Sequence, residues 1–226
     1  MKAMILAAGR GERLRPLTDT TPKPLIKAND KPLIAYLIEN LVESGITDII
    51  INTAYLAEQF PATLGDGSHY GVSIQYSHEE GESLETAGGI INALPLLGDE
   101  PFLVINGDIW TDFDFRLLTG KHLEYGVYCH LVLVTNPQHN FAGDFGLVEG
   151  RLMSNSEPKF TFSGIGLYHP TLFSGLQNQR LALKPIFDNA IKNNQISGQF
   201  YDGYWSDIGT IERLTELENM LQNNDD

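Results

Sequence analysis

The sequence predicts one α/β domain with a mostly parallel central sheet flanked by helices, and a smaller antiparallel addition in its second half. Three observations carry this. Short apolar runs alternate with amphipathic helical stretches over the first half; the first apolar run breaks on a glycine; and strand-like runs with little helix between them follow from Tyr128 to Tyr168. A chain of 226 residues, 42% of them hydrophobic, can bury one sizeable core.

The elements follow in order. Lys2 to Ala8 reads as a buried strand, and Leu33 to Ser44 as a helix with apolar residues at Leu33, Ile34, Leu37, Ile38, Leu41 and Val42, ended by Gly45. Asp48 to Asn52 is a second strand, Leu56 to Leu64 a short helix and Val72 to Ser77 a third strand. Thr86 caps a helix reaching Leu94, Phe102 to Asn106 is a compact apolar strand, and Phe115 to Tyr125 a further helix. This alternation means βαβ crossovers and a parallel sheet, with ligand at the strand carboxyl ends. Tyr128 to Thr135, Gly146 to Glu149 and Phe160 to Tyr168 then read as strands, an antiparallel or mixed addition. Helices resume at Leu183 to Lys192 and Ile211 to Leu221, and Gln222 to Asp226 reads as frayed. No repeat or linker divides the chain.

Composition excludes several classes of function. The net charge of −14 argues against nucleic acid as a partner, since duplex binding needs Lys and Arg to neutralise phosphates. That charge is uneven: Met1 to Lys31 holds seven cations against three acids, so it carries +4 and the remainder −18. An anionic substrate therefore finds its favourable potential at the amino-terminal loop. No 18-residue apolar stretch or signal peptide is visible, so a cytoplasmic protein without a membrane partner is expected. The single Cys129 lies in an apolar run and reads as a buried, inert thiol. One Cys and six scattered His offer no zinc spacing, and there is no Gly-x-Ser-x-Gly for a serine hydrolase.

The chemistry concentrates in Leu6-Ala7-Ala8-Gly9-Arg10-Gly11-Glu12-Arg13-Leu14-Arg15-Pro16-Leu17 and Thr21-Pro22-Lys23-Pro24-Leu25. Gly9 and Gly11 let backbone N–H groups approach phosphate oxygens, and Arg13 and Lys23 add charge-assisted hydrogen bonds. A dinucleotide fingerprint needs a third glycine where Leu14 stands, and no P-loop string occurs. Asp108 follows an apolar run and Asn106-Gly107, a good position for a hard cation. Asp207 sits at another strand-to-helix transition.

The complete string resembles the signature of sugar-phosphate nucleotidyltransferases. Asn106-Gly107-Asp108, Asp144-Phe145-Gly146, Phe162-Ser163-Gly164-Ile165 and Trp205-Ser206-Asp207-Ile208-Gly209-Thr210 match its later landmarks in order. The resemblance implies a GT-A-like fold, a nucleoside triphosphate and a sugar 1-phosphate as substrates, and Mg²⁺ on Asp108 and Asp207. It implies Arg13 on the leaving pyrophosphate, Lys23 on the α-phosphate and the incoming phosphate, and backbone contacts from Gly11 and Glu12. It places Ala8, Gly9, Glu79, Glu85, Thr86 and Asn106 around the nucleotide, and Asp144, Gly146, Ser163 and Gly164 around the sugar. By the same token, 1–112 forms mainly the nucleotide-binding half and 113–226 mainly the sugar-binding half. One departure stands out: many relatives read Glu-Lys-Pro where this chain reads Glu157-Pro158-Lys159, which detaches Lys159 from the sugar-phosphate role.

Within the family, the short length and Leu84-Glu85-Thr86-Ala87-Gly88-Gly89 are most like members that use UTP and an N-acetylated muramic sugar 1-phosphate in cell-wall recycling. Mannose 1-phosphate with GTP and glucose 1-phosphate with UTP or dTTP are the alternatives. A nucleotide-sugar-consuming glycosyltransferase and a non-catalytic binding module stand further off, since neither needs Arg13 and Lys23 on a leaving pyrophosphate. The chain lacks the carboxyl-terminal module of longer relatives, so a monomer is expected.

Overall fold

A computed structural model describes residues 1–81 and 83–224 of the chain. Its first half alternates strand and helix as the periodicity predicts: β1 (Lys2–Leu6), the short hairpin strands β2 (Lys27–Ala28) and β3 (Lys31–Pro32), α1 (Leu33–Glu43), β4 (Asp48–Thr53), α2 (Gln59–Leu64), β5 (Ser73–His78), α3 (Glu85–Leu97) and β6 (Phe102–Asn106). Then come β7 (Ile109–Thr111), α4 (Arg116–Thr119), β8 (Cys129–Val134), β9 (Phe145–Val148), β10 (Arg151–Met153) and β11 (Lys159–Tyr168). The chain closes with α5 (Leu183–Lys192), β12 (Ile196–Tyr201), β13 (Trp205–Asp207) and α6 (Ile211–Asn224).

Nine strands form one sheet in the order β5-β4-β1-β6-β11-β8-β12-β10-β9. The first four are parallel, β11 runs antiparallel to both β6 and β8, and β12 is parallel to β8. Side chains alternate across each strand, and the core splits accordingly. Ala3 and Ile5 of β1 pack with Ile34, Leu37, Ile38 and Leu41 of α1 and Phe60 of α2. Met4 faces the other way, onto Ala87 and Ile90 of α3 and, further along, Phe187 of α5. A third cluster, with Leu14, Ile26, Ile208, Leu214 and Leu217, seals α6 against the amino-terminal loop.

The strand order places the site. From β1 the chain moves outward through β4 and β5, then crosses back by α3 to β6 on the other side of β1. The reversal opens a crevice at the carboxyl ends of β1 and β6, where ligands of open α/β sheets bind.

Several sequence expectations need correction. The helix read over Phe115 to Tyr125 is a single turn, α4: Leu118 is buried, but Leu117 points to solvent and Gly120 interrupts before a second turn can bury anything. Thr86 is not a cap; it lies inside the first turn of α3, and Leu84 at the cap position offers no side-chain bond. Strands β7, β10, β12 and β13 went unread because three are only three residues long, and β12 carries Gly198 in its interior. Residues Gln222 to Asn224 belong to α6, while Asp225, Asp226 and Glu82 lie outside the described residues.

Candidate active site

A cavity of about 420 Å³ opens at that crevice, lined by the end of β1 (Leu6, Ala7, Ala8), the glycine loop through Arg13, Lys23, the amino end of α3, and Asn106, Asp108 and Gly209. Its base is built from buried polar groups. Asn52 ends β4 and accepts from the Ala7 N–H at 2.8 Å, while its amide donates to Glu79 Oε1 at 2.6 Å. The other oxygen of Glu79 accepts from the Leu84 N–H at 2.8 Å, so one carboxylate, 1% exposed, fixes both the β1 terminus and the entry to α3. Gly89 makes this possible, since a Cβ there would sit 2.5 Å from Glu79 Oε1 and 2.8 Å from the Asn52 amide.

The cationic side of the cavity is shaped by the loop. Gly11 has φ +64°, and its carbonyl accepts from the Thr18 hydroxyl at 2.9 Å. The turn presses onto Lys23, so that a Cβ on Gly11 would come within 2.9 Å of Lys23 Cβ. Lys23 opens a tight turn between Pro22 and Pro24, is 8% exposed, and aims its Nζ at Asp108, with which it forms an ion pair. Asp108 is brought there by the Gly107 N–H, which donates to the Leu6 carbonyl at 2.9 Å and ties the β6 terminus to β1.

Asp207 reaches the same region through a device the sequence did not reveal. Strands β7 and β13 pair antiparallel with Asp207 opposite Ile109, and the Ile208 N–H donates to the Asp108 carbonyl at 2.7 Å. Two carboxylates almost a hundred residues apart therefore leave adjacent backbone. Their oxygens suit a hard divalent cation that completes its shell with water and phosphate oxygens. Each also has an internal cation, Lys23 on Asp108 and Arg213 on Asp207, and His139 Nε2 lies 3.0 Å from Asp207 Oδ1.

Among the other expected residues, Ala8, Gly9, Gly11, Glu12, Arg13, Glu85, Thr86 and Asn106 all line the cavity. Glu79 is not among the residues lining it: 1% exposed, its carboxylate is bonded to the Asn52 amide and the Leu84 N–H. Glu85 has φ +59° and pairs with Arg180 at 3.0 Å, turning its carboxylate toward that side chain. Among the residues expected around a sugar, those of β11 lie at a bulge between Phe162 and Gly166. There Gly164, at φ +78°, packs on the Asn106 side chain. The Ser163 hydroxyl is 0% exposed, donating to the Val132 carbonyl at 2.7 Å and accepting from the Ile165 N–H at 3.1 Å. Its hydroxyl is thereby committed to shaping the bulge. Asp144 accepts from the Phe162 N–H at 2.8 Å, and Gly146 packs against Ser156, so both brace the strands beside the cavity.

Asn52, His139 and Arg213 were missed by sequence reasoning. Asn52 carried a usable signal as the polar end of Asp48-Ile49-Ile50-Ile51-Asn52, and Arg213 another, a cation in the first turn of a helix, where the dipole disfavours it.

Fold and site together define a phosphate-handling α/β domain that sets cations and carboxylates around the switch point of a mixed sheet. Residues 2–224 match the Nucleotidyl transferase family, and the chain belongs to it. It is 50% identical over 224 residues to N-acetylmuramate alpha-1-phosphate uridylyltransferase of Neisseria meningitidis serogroup B (strain ATCC BAA-335 / MC58), covering 96% of this chain and 97% of that one. It is 32% identical to mannose-1-phosphate guanyltransferase beta-B of Xenopus laevis, over 92% of this chain but only 61% of that longer protein. Among solved structures, HddC from Yersinia pseudotuberculosis complexed with GMP-PN superposes with a TM-score of 0.82 at 20% identity, covering 97% of this chain and 99% of that one. UDP-glucose pyrophosphorylase complexed with UDP-glucose gives 0.77 at 20% identity, with 99% and 98% covered. Such likeness speaks to fold, and the fold is that of nucleotidyltransferases. Among the described residues, no helix is long and apolar enough to cross a membrane.

Proposed function

We propose that this protein transfers a uridylyl group from UTP to N-acetylmuramic acid α-1-phosphate, giving UDP-N-acetylmuramate and pyrophosphate, in the cytoplasm as part of cell-wall recycling. The observation that carries the reading is the cavity at the β1–β6 crevice with Gly11, Arg13, Lys23 and Asp108 on one wall, in a chain half identical along its length to a uridylyltransferase of this specificity.

The reaction needs no general base. A sugar 1-phosphate, with a second pKa of about 6, is largely ionised at neutral pH. One of its oxygens forms a bond to the α-phosphorus of UTP while the bond from that phosphorus to the α–β bridging oxygen breaks, and pyrophosphate leaves with the electron pair. The protein's work is alignment and charge. The Ala8 and Gly9 backbone, with Thr86 at the start of α3, frames the uracil. Gly11 and Glu12 offer backbone N–H groups to the phosphates, and Arg13 holds the departing pair. Lys23, fixed by its proline-bracketed turn, bridges the α-phosphate and the incoming phosphate. Asp108 and Asp207 would hold Mg²⁺, which when bound supplies Lewis-acid charge to the α-phosphate. Asn106 stands with the nucleotide contacts and the Gly164 bulge packed on it frames the sugar, so that 1–112 would serve mainly the nucleotide and 113–226 mainly the sugar.

The test is a panel of UTP, dTTP and GTP against the 1-phosphates of N-acetylmuramate, glucose and mannose, read by pyrophosphate release. UTP with N-acetylmuramate 1-phosphate should turn over fastest. Preference for another pair would reassign specificity, and release of nucleoside diphosphate from a nucleotide sugar would reassign the reaction.

A further inference from the structure

We propose that Arg213 is a second polyphosphate-binding arginine, held on Asp207 until a nucleotide arrives, and that this exchange couples divalent-cation binding to nucleotide binding. The inference rests on the nucleotidyl-transfer reading above. Its starting point is that Asp207 Oδ1 is already engaged twice, by Arg213 Nη1 and by His139 Nε2 at 3.0 Å. The Asp207 and Arg213 side chains are both largely buried, so this is no solvent-loosened surface pair.

Helix geometry alone disfavours an arginine here, and the Asp207 carboxylate is what holds it in place. Arg213 occupies the first turn of α6, where the helix dipole repels a cation. Its guanidinium also converges with that of Arg13: a Cβ built on Gly209 would lie 2.6 Å from Arg213 Nη2 and 3.1 Å from Arg13 Nη2. Two guanidiniums thus crowd a residue that lines the cavity, one of them paired with Asp207. A polyanion in the cavity would meet both guanidiniums there, and forked guanidinium donors match phosphate oxygens.

The Asp108–Lys23 pair repeats the pattern. One oxygen of each carboxylate suited to a divalent cation, Asp108 Oδ2 and Asp207 Oδ1, is held by an internal cation, which gives up that oxygen when it finds another anion. A triphosphate supplies one: as Arg213 moves from Asp207 to the β- or γ-phosphate oxygens beside Arg13, Asp207 Oδ1 keeps only its His139 contact and the carboxylate charge becomes available to the cation. By linkage, whatever the nucleotide does for cation affinity the cation does for nucleotide affinity.

The test uses Mn²⁺ as probe, with free Mn²⁺ read by electron paramagnetic resonance, with and without a non-hydrolysable α,β-methylene UTP analogue and corrected for chelation in solution. In the unmodified enzyme the analogue should raise Mn²⁺ affinity by roughly tenfold or more, within the usual range of coupling. Arg213→Gln should bind Mn²⁺ several-fold more tightly without nucleotide and lose most of the enhancement, and its KM for UTP should rise more than kcat falls. Arg213→Lys, which keeps the charge, should retain much of the enhancement. Unchanged Mn²⁺ affinity and enhancement in Arg213→Gln would overturn the exchange alone. A change confined to the KM of the sugar 1-phosphate would also overturn it, by assigning Arg213 to the acceptor. No binding of Mn²⁺ with the analogue to the unmodified enzyme would overturn the functional reading, and the exchange with it.

Discussion

Lys23 and Asp108, separated by 85 positions in sequence, form an ion pair at the carboxyl end of the central parallel strands. The pair joins the proline-bracketed turn to the β6 terminus, so the cation assigned to phosphate and the carboxylate assigned to the divalent cation are positioned by each other. With Lys23 buried, removing Asp108 strands its charge in a poorly solvated place, whereas removing Lys23 leaves a partly solvated carboxylate unpaired.

Lys23→Ala and Arg13→Ala should therefore differ in kind. Arg13 is exposed, and its loss should slow turnover on the order of a hundredfold or more with little change in melting temperature. Lys23→Ala should lose activity at least as severely and also destabilise the fold, by about 2 to 4 kcal/mol given that Asp108 is partly solvated. Steady-state kinetics beside thermal melts separates the two.

Gly89→Ala should disrupt the nucleotide end without touching a ligand. The added methyl would collide with the Asn52–Glu79 bridge, forcing the β1 terminus or α3 to move at a cost of about 1 to 3 kcal/mol. Weaker UTP binding by calorimetry is the expected result. Unaltered binding would detach the bridge from nucleotide positioning.

Ser163→Ala distinguishes scaffold from sugar contact. The lost hydroxyl leaves the Val132 carbonyl and the Ile165 N–H without that partner, so a stability loss of about 1 to 3 kcal/mol is expected in denaturant titrations. The KM for the sugar 1-phosphate should stay within a few-fold, whereas a large and selective rise would return Ser163 to the sugar site.

Stability should carry a signature of His130. This residue is 2% exposed and bonded to Ser197 Oγ at 2.8 Å and Gln199 Oε1 at 3.0 Å. Burial pushes its pKa down to about 4, against the upward pull of the Gln199 hydrogen bond. The unfolded chain, titrating near 6.5, binds this proton first, so stability falls as pH drops from about 6.5 toward 4, by up to about 3 kcal/mol. Thermal melts across that range should show a shallower pH slope in His130→Gln than in the unmodified protein.

The parallel half was legible because its strands are continuous apolar runs and α1 keeps a clean 3.6-residue stripe. The glycine loop was legible because Gly11, Arg13, Lys23 and the prolines around Lys23 each impose a local constraint. What escaped was non-local. Three-residue β7 and β13 have no periodicity to read, yet their pairing is what sets Asp207 beside Asp108. Burial also reassigned roles that composition could not: Glu79 became a brace under the floor and Ser163 a bulge former. Arg213 was hidden because a charged residue on a helix reads as a solvated face until its partner is known.

The most direct measurement is a crystal structure of the protein with Mg²⁺ and a non-hydrolysable UTP analogue. The account predicts uracil against Ala8, Gly9 and Thr86, with the triphosphate running along Gly11 to Arg13 and the α-phosphate within reach of Lys23. A nucleotide seated away from the β1–β6 crevice, or Arg13 and Lys23 turned from the phosphates in the bound state, would contradict it.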